Sequence, residues 1–128
     1  MKQFDIYDRV FRFASRVERM NQILSRNRRV NRAALNQLVD AAMSVGSNLE
    51  EARAGQSKAD FHAKLRISLK EARESHYWLR ILMSSGVVRE SRLKPLVDEA
   101  NEIVAILTTI AKKTNPRSPT SPITPLSS

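Results

Sequence analysis

Apolar residues recur at intervals of three and four almost throughout the first 113 residues of the chain. This spacing is typical of amphipathic α-helices, because every third or fourth residue lies on the same helical face. The same stretch contains only one proline and three glycines, so few residues would interrupt a helix. The pattern therefore predicts an all-α domain over residues 1–113.

The segment 114–128 differs in composition from the rest of the chain. Four of the five prolines lie in it, interleaved with serine and threonine. Segments of this kind favour polyproline II and do not build a core. We predict a disordered tail over residues 114–128.

Turn and capping residues divide the helical domain into four predicted helices. These cover residues 4–24, residues 31–54, the stretch between an N-cap at Ser57 and a stop at Gly86, and residues 91–113. An alternative for the second helix is a break near Gly46, because residues 47–50 also fit a capping box. Short loops make neighbouring helices antiparallel, which predicts an up-down-up-down four-helix bundle.

The first helix is predicted to turn one apolar stripe inward. The stripe consists of Tyr7, Val10, Phe11, Ala14, Val17 and Leu24. On the opposite side, Asp5 and Asp8 can pair with Arg9 and Arg12 at a spacing of four residues.

Neither catalysis nor metal binding is indicated by the residue patterns. The chain has no cysteine, and His62 and His76 lack the acidic or histidine partner that a helical metal site needs. No glycine-rich phosphate loop or nucleophile motif is present. The carboxylates Glu50, Glu51, Glu71 and Glu74 are interpreted as salt-bridge faces. We predict no catalytic residues, no metal and no cofactor.

The first residues do not form a secretory signal, because Asp5 and Asp8 interrupt any apolar segment there. No apolar run approaches the roughly twenty residues that would cross a bilayer. The expected location is the cytoplasm, without a membrane association.

Positive charge is concentrated in two parts of the sequence. Residues 16–32 contain six arginines and one acid, a net charge of +5, and residues 80–94 add +3 towards a total of +9. In an up-down bundle, both segments reach the same end. The candidate phosphate contacts are Arg16, Arg19, Arg26, Arg28, Arg29, Arg32, Arg89, Arg92 and Lys94. A cationic end that serves solubility alone is the alternative interpretation.

The third helix carries a second apolar stripe, offset from its main one, at Ile67, Trp78 and Ile81. Two interpretations are open. Trp78 completes the core of a single chain, or the three residues form an interface between subunits.

Residues 37–82 resemble a known bacterial protein family. The segments that carry the likeness are Asn48-Leu49-Glu50-Glu51-Ala52, the run from Lys64 to Ser75, and Tyr77-Trp78-Leu79. The family is the four-helix bundle family first named for reading frames inside intervening sequences of large-subunit ribosomal RNA genes. Many of its members have glycine where this chain has Ala52, which suggests a subgroup.

This resemblance implies an antiparallel bundle that assembles as a ring, commonly a homopentamer, without known enzymatic activity. It also implies likeness to the accessory protein of diversity-generating retroelements, a basic pentamer that binds nucleic acid and a reverse transcriptase. A likeness in fold transfers function weakly. Two functions are therefore expected: a nucleic-acid-binding accessory protein, with a reverse transcriptase or another protein as partner, or a structural protein-interaction module with no nucleic-acid role.

Overall fold

Four α-helices make up the fold of the computed structural model, which describes residues 5–116. They are α1 (Ile6–Leu24), α2 (Arg32–Arg53), α3 (Lys58–Ser84) and α4 (Glu90–Thr114). The described residues contain no β-strand, so the all-α class is confirmed. Residues 117–128, most of the predicted tail, lie outside this range.

Polar caps fix where three of the helices begin. The side chains of Asp5, Asn31 and Ser57 accept hydrogen bonds from backbone N–H groups three residues later, at 2.9, 2.9 and 3.0 Å respectively. Such bonds satisfy N–H groups that have no partner within the helix. The predicted cap at Ser57 is confirmed.

Glycine has a different role at each of two positions. Gly86 has a φ of 75°, a left-handed conformation that ends α3 as predicted. Gly46 lies inside α2, which continues through it, so the alternative of a helix break is wrong. A Cβ atom at Gly46 would lie 3.4 Å from Cγ1 of Val10. Gly46 therefore allows α1 to approach α2 closely.

The core contains residues from all four helices, but the side of α1 that faces the core is not the one predicted. Its buried residues are Val10, Phe13, Val17, Met20 and Leu24. Phe11, which was predicted to point inward, is 72% exposed, whereas Phe13 is 1% exposed. Residues two apart on a helix point about 200° away from each other, so only one of these phenylalanines can face the core. Phe13 lies on the same face of α1 as Met20 and Leu24, which continue the buried stripe, so Phe13 is the one that faces the core.

A buried hydrogen bond joins α2 and α3, the pair of helices with the most extensive packing. The hydroxyl of Ser68 on α3 is fully buried and donates to the carbonyl oxygen of Val45 on α2 at 2.7 Å. The carbonyl oxygen of Val45 also accepts a backbone hydrogen bond within α2, so the Ser68 hydroxyl binds the second lone pair of that oxygen.

Ser68→Ala should therefore lower the free energy of unfolding by about 1 kcal/mol, because it removes this hydrogen bond without leaving a buried donor unpaired. Urea denaturation followed by circular dichroism measures the change. Ser84→Ala is the matched control, since Ser84 is exposed and its hydroxyl bonds only within α3. Equal effects of the two substitutions would contradict a specific role for Ser68.

Ion pairs join α1 to α4, which pack least extensively among the pairs of helices that contact each other. Arg9 lies 2.7 Å from Glu99 and 2.7 Å from Glu102. The predicted pairing of Arg9 with Asp5 is wrong, because Asp5 caps α1 instead. Hydrogen bonds to Glu99, and then to Glu102, raise the pKa of Arg9 above its usual value. Arg9 therefore remains a cation that holds α1 against α4.

None of the helices within residues 5–116 combines the length and apolar character needed to cross a membrane.

Candidate nucleic-acid interface

The corner between α1 and α2 and the corner between α3 and α4 meet at one end of the molecule. An open cavity of about 460 Å³ lies between them and is lined by Asn27 from one corner and by Val87, Arg89 and Arg92 from the other. We call this surface the basic end. Its residues are Arg26, Arg28, Arg29, Arg32, Arg89 and Arg92.

Hydrogen bonds hold the first corner in one conformation. The side chain of Asn27 accepts from the backbone N–H of Arg29 at 2.9 Å, and the carbonyl of Asn27 accepts from Val30 at 3.2 Å. Val30 is buried and anchors the corner to the core. Arg32 donates to the carbonyl of Ser25 at 2.7 Å, which ties α2 back to the end of α1. Arg28 and Arg29 therefore project from an ordered turn.

The second corner is anchored in a similar way. Ser85 donates to the carbonyl of Leu82 at 2.7 Å and accepts from the N–H of Val87 at 3.3 Å. Val88 is buried. Arg89 follows at the N-cap of α4 and makes no side-chain capping bond. The structure thus presents Arg89 to solvent at the start of a helix, where a cation is mildly disfavoured.

Most guanidinium groups of the basic end are available for a ligand. Five exposed arginines of the basic end have no carboxylate partner and no side-chain hydrogen bond. These are Arg26, Arg28, Arg29, Arg89 and Arg92. Arg32 differs, because one of its donors is bound to Ser25. Arginines without an acidic partner at the same end of a molecule repel each other, and an anion would relieve that repulsion.

Three of the residues predicted to contact phosphate either pair with an acid or lie away from the basic end. Lys94 pairs with Asp98 at 2.8 Å, and this hydrogen bond raises the pKa of Lys94. Arg16 and Arg19 lie on the side of α1, about 12 and 8 Å along the helix from Leu24. Arg16 is half-buried, and Arg19 lines a groove between α1 and α2. The structure therefore does not bring Arg16 and Arg19 to the basic end.

The groove between α1 and α2 was not found by the sequence analysis. It has a volume of about 490 Å³, and its lining is mostly apolar, from Tyr7, Val10, Phe11, Ala14, Met43, Gly46 and Leu49. At one end the guanidinium of Arg53 lies 3.7 Å from the centre of the Tyr7 ring. We call this surface the α1–α2 groove. The sequence signal for it was an excess of apolar residues on α1, more than one core-facing stripe can use.

The offset stripe on α3 forms a second apolar surface. Ile67 and Ile81 are 40% and 37% exposed, and Tyr77 is 50% exposed. Trp78 is half-buried, packs against the core, and meets the Tyr77 ring edge-on at 5.0 Å. Trp78 therefore belongs in part to the core and in part to the surface. We call Ile67, Tyr77, Trp78 and Ile81 the α3 face.

Titratable side chains are scattered over the described part of the chain. Residues 5–116 contain no group of three or more histidine or acidic residues that could hold a metal ion. The pKa of His62 is lowered by burial and by Arg66, and that of His76 by burial and by Arg80. Burial, then the nearby charge of Glu74, raises the pKa of Glu71. These groups belong to separate parts of α3.

Comparisons with known proteins identify the group to which this fold belongs. A family model described as 23S rRNA-intervening sequence protein matches residues 2–109. A crystal structure from Bacteroides thetaiotaomicron, of a protein of unknown function from the S23 ribosomal protein family, is similar with a TM-score of 0.78 and 31% identity. The likeness covers 84% of this chain and 99% of that chain. The search of curated proteins gave no significant match.

Proposed function

This chain belongs to the 23S rRNA-intervening sequence protein family, and from that premise we propose that it is a cytoplasmic, non-enzymatic, homo-oligomeric protein that binds nucleic acid through its basic end. The observation that carries the proposal is the meeting of two corners that are distant in sequence. Arg89 and Arg92 line the cavity between them, and Asn27, which lines it from the other corner, is flanked in sequence by the unpaired Arg26, Arg28 and Arg29. Phosphate groups are the natural ligands of such a cluster.

The chemistry of the basic end favours backbone contacts over base recognition. Guanidinium groups can bind phosphate oxygens with two parallel hydrogen bonds. Base stacking needs exposed aromatic rings, and the large exposed rings among residues 5–116, Phe11 and Tyr77, lie on the α1–α2 groove and the α3 face instead. We therefore expect affinity that depends steeply on salt and little on sequence.

An antiparallel arrangement of the helices is part of the proposal, and pairs of contacts support it. Near its start α1 contacts residues 99 and 102, while the end of α1 lines a cavity with residues 89–92. Ser68 bonds Val45, and Lys64, earlier on α3, pairs with Glu51, later on α2, at 2.7 Å. In both pairs of helices, residues later on one helix contact residues earlier on the other. This pattern favours the up-down-up-down order.

Assembly of several copies would strengthen binding, because each copy adds another basic end to the same polyanion. The exposed α3 face supports a homo-oligomer, and the family resemblance favours a ring-like pentamer among the oligomers. Light scattering of the full chain tests this against the 14.5 kDa of a monomer.

Replacing Arg28 and Arg29 with glutamine should weaken nucleic-acid binding by on the order of tenfold at low salt. The slope of log Kd against log salt concentration should become shallower by about 2 for duplex DNA, because two phosphate contacts per bound subunit are lost. Fluorescence anisotropy with labelled RNA and DNA duplexes measures both quantities. Neither arginine makes an ion pair, so the fold should be retained.

The matched control removes two exposed positive charges elsewhere. Lys112 and Lys113 lie at the end of α4, beside Thr114, whose hydroxyl is near His62 at the start of α3. Lys112→Gln with Lys113→Gln should leave the salt slope almost unchanged. Equal effects of the two double variants would contradict a localised site and would leave only a general attraction by net charge.

A protein-interaction module is the second candidate, because the α1–α2 groove and the α3 face are both apolar and exposed. Its partner would be another protein, and a reverse transcriptase is the class that the family resemblance suggests. An unchanged salt slope after loss of Arg28 and Arg29, together with retained binding of a co-purified protein, would favour this candidate over nucleic-acid binding.

A further inference from the structure

We infer that the open cavity between the two corners holds one unpaired nucleotide of a bound nucleic-acid strand. We call it the corner cavity, and its lining residues come from both corners. The inference rests on the nucleic-acid binding of the proposed function and identifies the class of nucleic acid, which is a strand with an unpaired nucleotide at an end, a bulge or a loop. It is carried by an apolar floor and a cationic rim that occur together in one cavity.

The corner cavity has a buried apolar floor and an exposed polar rim. Leu24 and Val88 line it and are buried, so they form the floor. Arg89, Ser91 and Arg92 also line it and are exposed. Because Arg89 and Arg92 are three residues apart, they are neighbours on the first turn of α4. A ligand that matches this lining has an apolar part and an anionic part.

The exposure of Ile23 is a feature that phosphate binding alone does not explain. Ile23 lines the corner cavity together with the half-buried Val87, and it is 54% exposed. Phosphate oxygens gain nothing from contact with an aliphatic side chain, whereas the faces of a nucleobase are apolar and gain from burial. A base packed against Ile23 would remove this apolar surface from water.

The charges at the corner cavity favour an anion. Both charged residues that line it are arginines, Arg89 and Arg92, and neither has a carboxylate partner. Glu90 lies between them in sequence but lines a different cavity, beside Tyr77. Guanidinium groups can bind phosphate oxygens with two parallel hydrogen bonds. The rim would therefore hold the phosphate of a nucleotide whose base lies on the floor.

The first corner contributes a hydrogen-bond donor. Asn27 lines the cavity, and its side-chain oxygen already accepts from the N–H of Arg29 at 2.9 Å. The amide NH₂ group of Asn27 has no partner within residues 5–116. Every base offers acceptor atoms on its edges, so a single donor chooses weakly among bases. The corner cavity would distinguish unpaired from paired nucleotides, and not one base from another.

A continuous duplex does not supply this ligand readily. Its bases are stacked and paired, so a base face becomes available only when the nucleotide is flipped out at a cost in free energy. Nucleotides at ends, bulges and loops are already unstacked. The corner cavity is open, and its volume of about 460 Å³ lies within the range of roughly 300–1,000 Å³ that is typical of ligand sites.

Fluorescence anisotropy with two labelled duplexes tests the inference. One duplex is blunt, the other carries a single-stranded extension, and both have the same number of phosphates. Net charge alone favours the blunt duplex, because a single strand has the lower charge density. We expect the full chain to bind the extended duplex roughly fivefold more tightly at one salt concentration. This is the lower end of the range for stacked bases, because an aliphatic side chain replaces an aromatic ring.

Ile23→Ser should abolish the preference, which is the ratio of the two affinities, and leave the salt slope for the blunt duplex unchanged. Ile23→Leu should keep the preference. Ile67→Ser is the matched control, since it makes the same change at a position on α3 that is 40% exposed, and it should also keep the preference. Circular dichroism checks that each variant is folded.

Equal affinity of the full chain for the two duplexes would overturn the inference and leave the proposed function in place. A preference that persists in Ile23→Ser would overturn the corner cavity as its source. A labelled nucleoside monophosphate that binds as tightly as the extended duplex would overturn the strand as the ligand in favour of a free nucleotide. Failure to bind either duplex would overturn the proposed function and the inference with it.

Discussion

Phe13→Ala should lower the free energy of unfolding by about 3–5 kcal/mol, because it removes a phenyl ring from a site that is 1% exposed. The substitution leaves a cavity at the contact of α1 with the rest of the core. Urea denaturation of the full chain, followed by circular dichroism, measures the loss. For a domain of this size, such a loss is a large fraction of the total stability.

Phe11→Ala is the matched control, with the same change two residues away on the same helix. Phe11 is 72% exposed, so its removal should change the stability of one chain by less than about 1 kcal/mol. If Phe11→Ala were the more destabilising substitution at all concentrations, the orientation of α1 would be the one that the sequence suggested.

Ile81→Glu should convert the proposed oligomer into monomers and weaken nucleic-acid binding by on the order of a hundredfold, through loss of multivalency. The substitution places a charge on the α3 face, where burial against another copy would desolvate it. Ile81 is a better test than Trp78, because Trp78 also packs against the core of its own chain. Light scattering and fluorescence anisotropy measure the two effects.

Ala105→Glu adds the same charge at an exposed position on α4, outside the α3 face, and should leave both assembly and binding unchanged. The arginines of the basic end are untouched in either variant. An oligomer that survives Ile81→Glu would contradict the subunit-interface interpretation of the α3 face. A monomeric variant that binds nucleic acid with unchanged affinity would show that binding needs the basic end of only one copy.

Much of the fold is local and could therefore be predicted from the sequence. The cap at Ser57 and the stop at Gly86 depend on a few neighbouring residues, and both are confirmed. Continuity of α2 through Gly46 could be predicted because the apolar stripe keeps its phase across that residue. The match to the family model extends the resemblance from residues 37–82 to residues 2–109.

Other features depend on how helices pack, and spacing alone does not determine that. On α1, apolar residues occupy more than one face, so the choice between Phe11 and Phe13 needed the positions of the other helices. Arg9 has acids nearby in sequence, yet it pairs with Glu99 and Glu102, ninety or more residues away. The α1–α2 groove results from incomplete packing between two helices, which no single helical pattern reveals.

The uneven packing of the helices also predicts an order of folding. α2 and α3 share the most extensive packing and are joined by only a short connection, so the entropy lost in bringing them together is small. α1 leaves the ribosome first, but its ionic partner α4 is made last. α2, against which α1 packs more extensively than against α4, can cover part of the apolar stripe of α1 early. The rest stays exposed until α4 is made, and this is the interval in which a nascent chain is most exposed to aggregation.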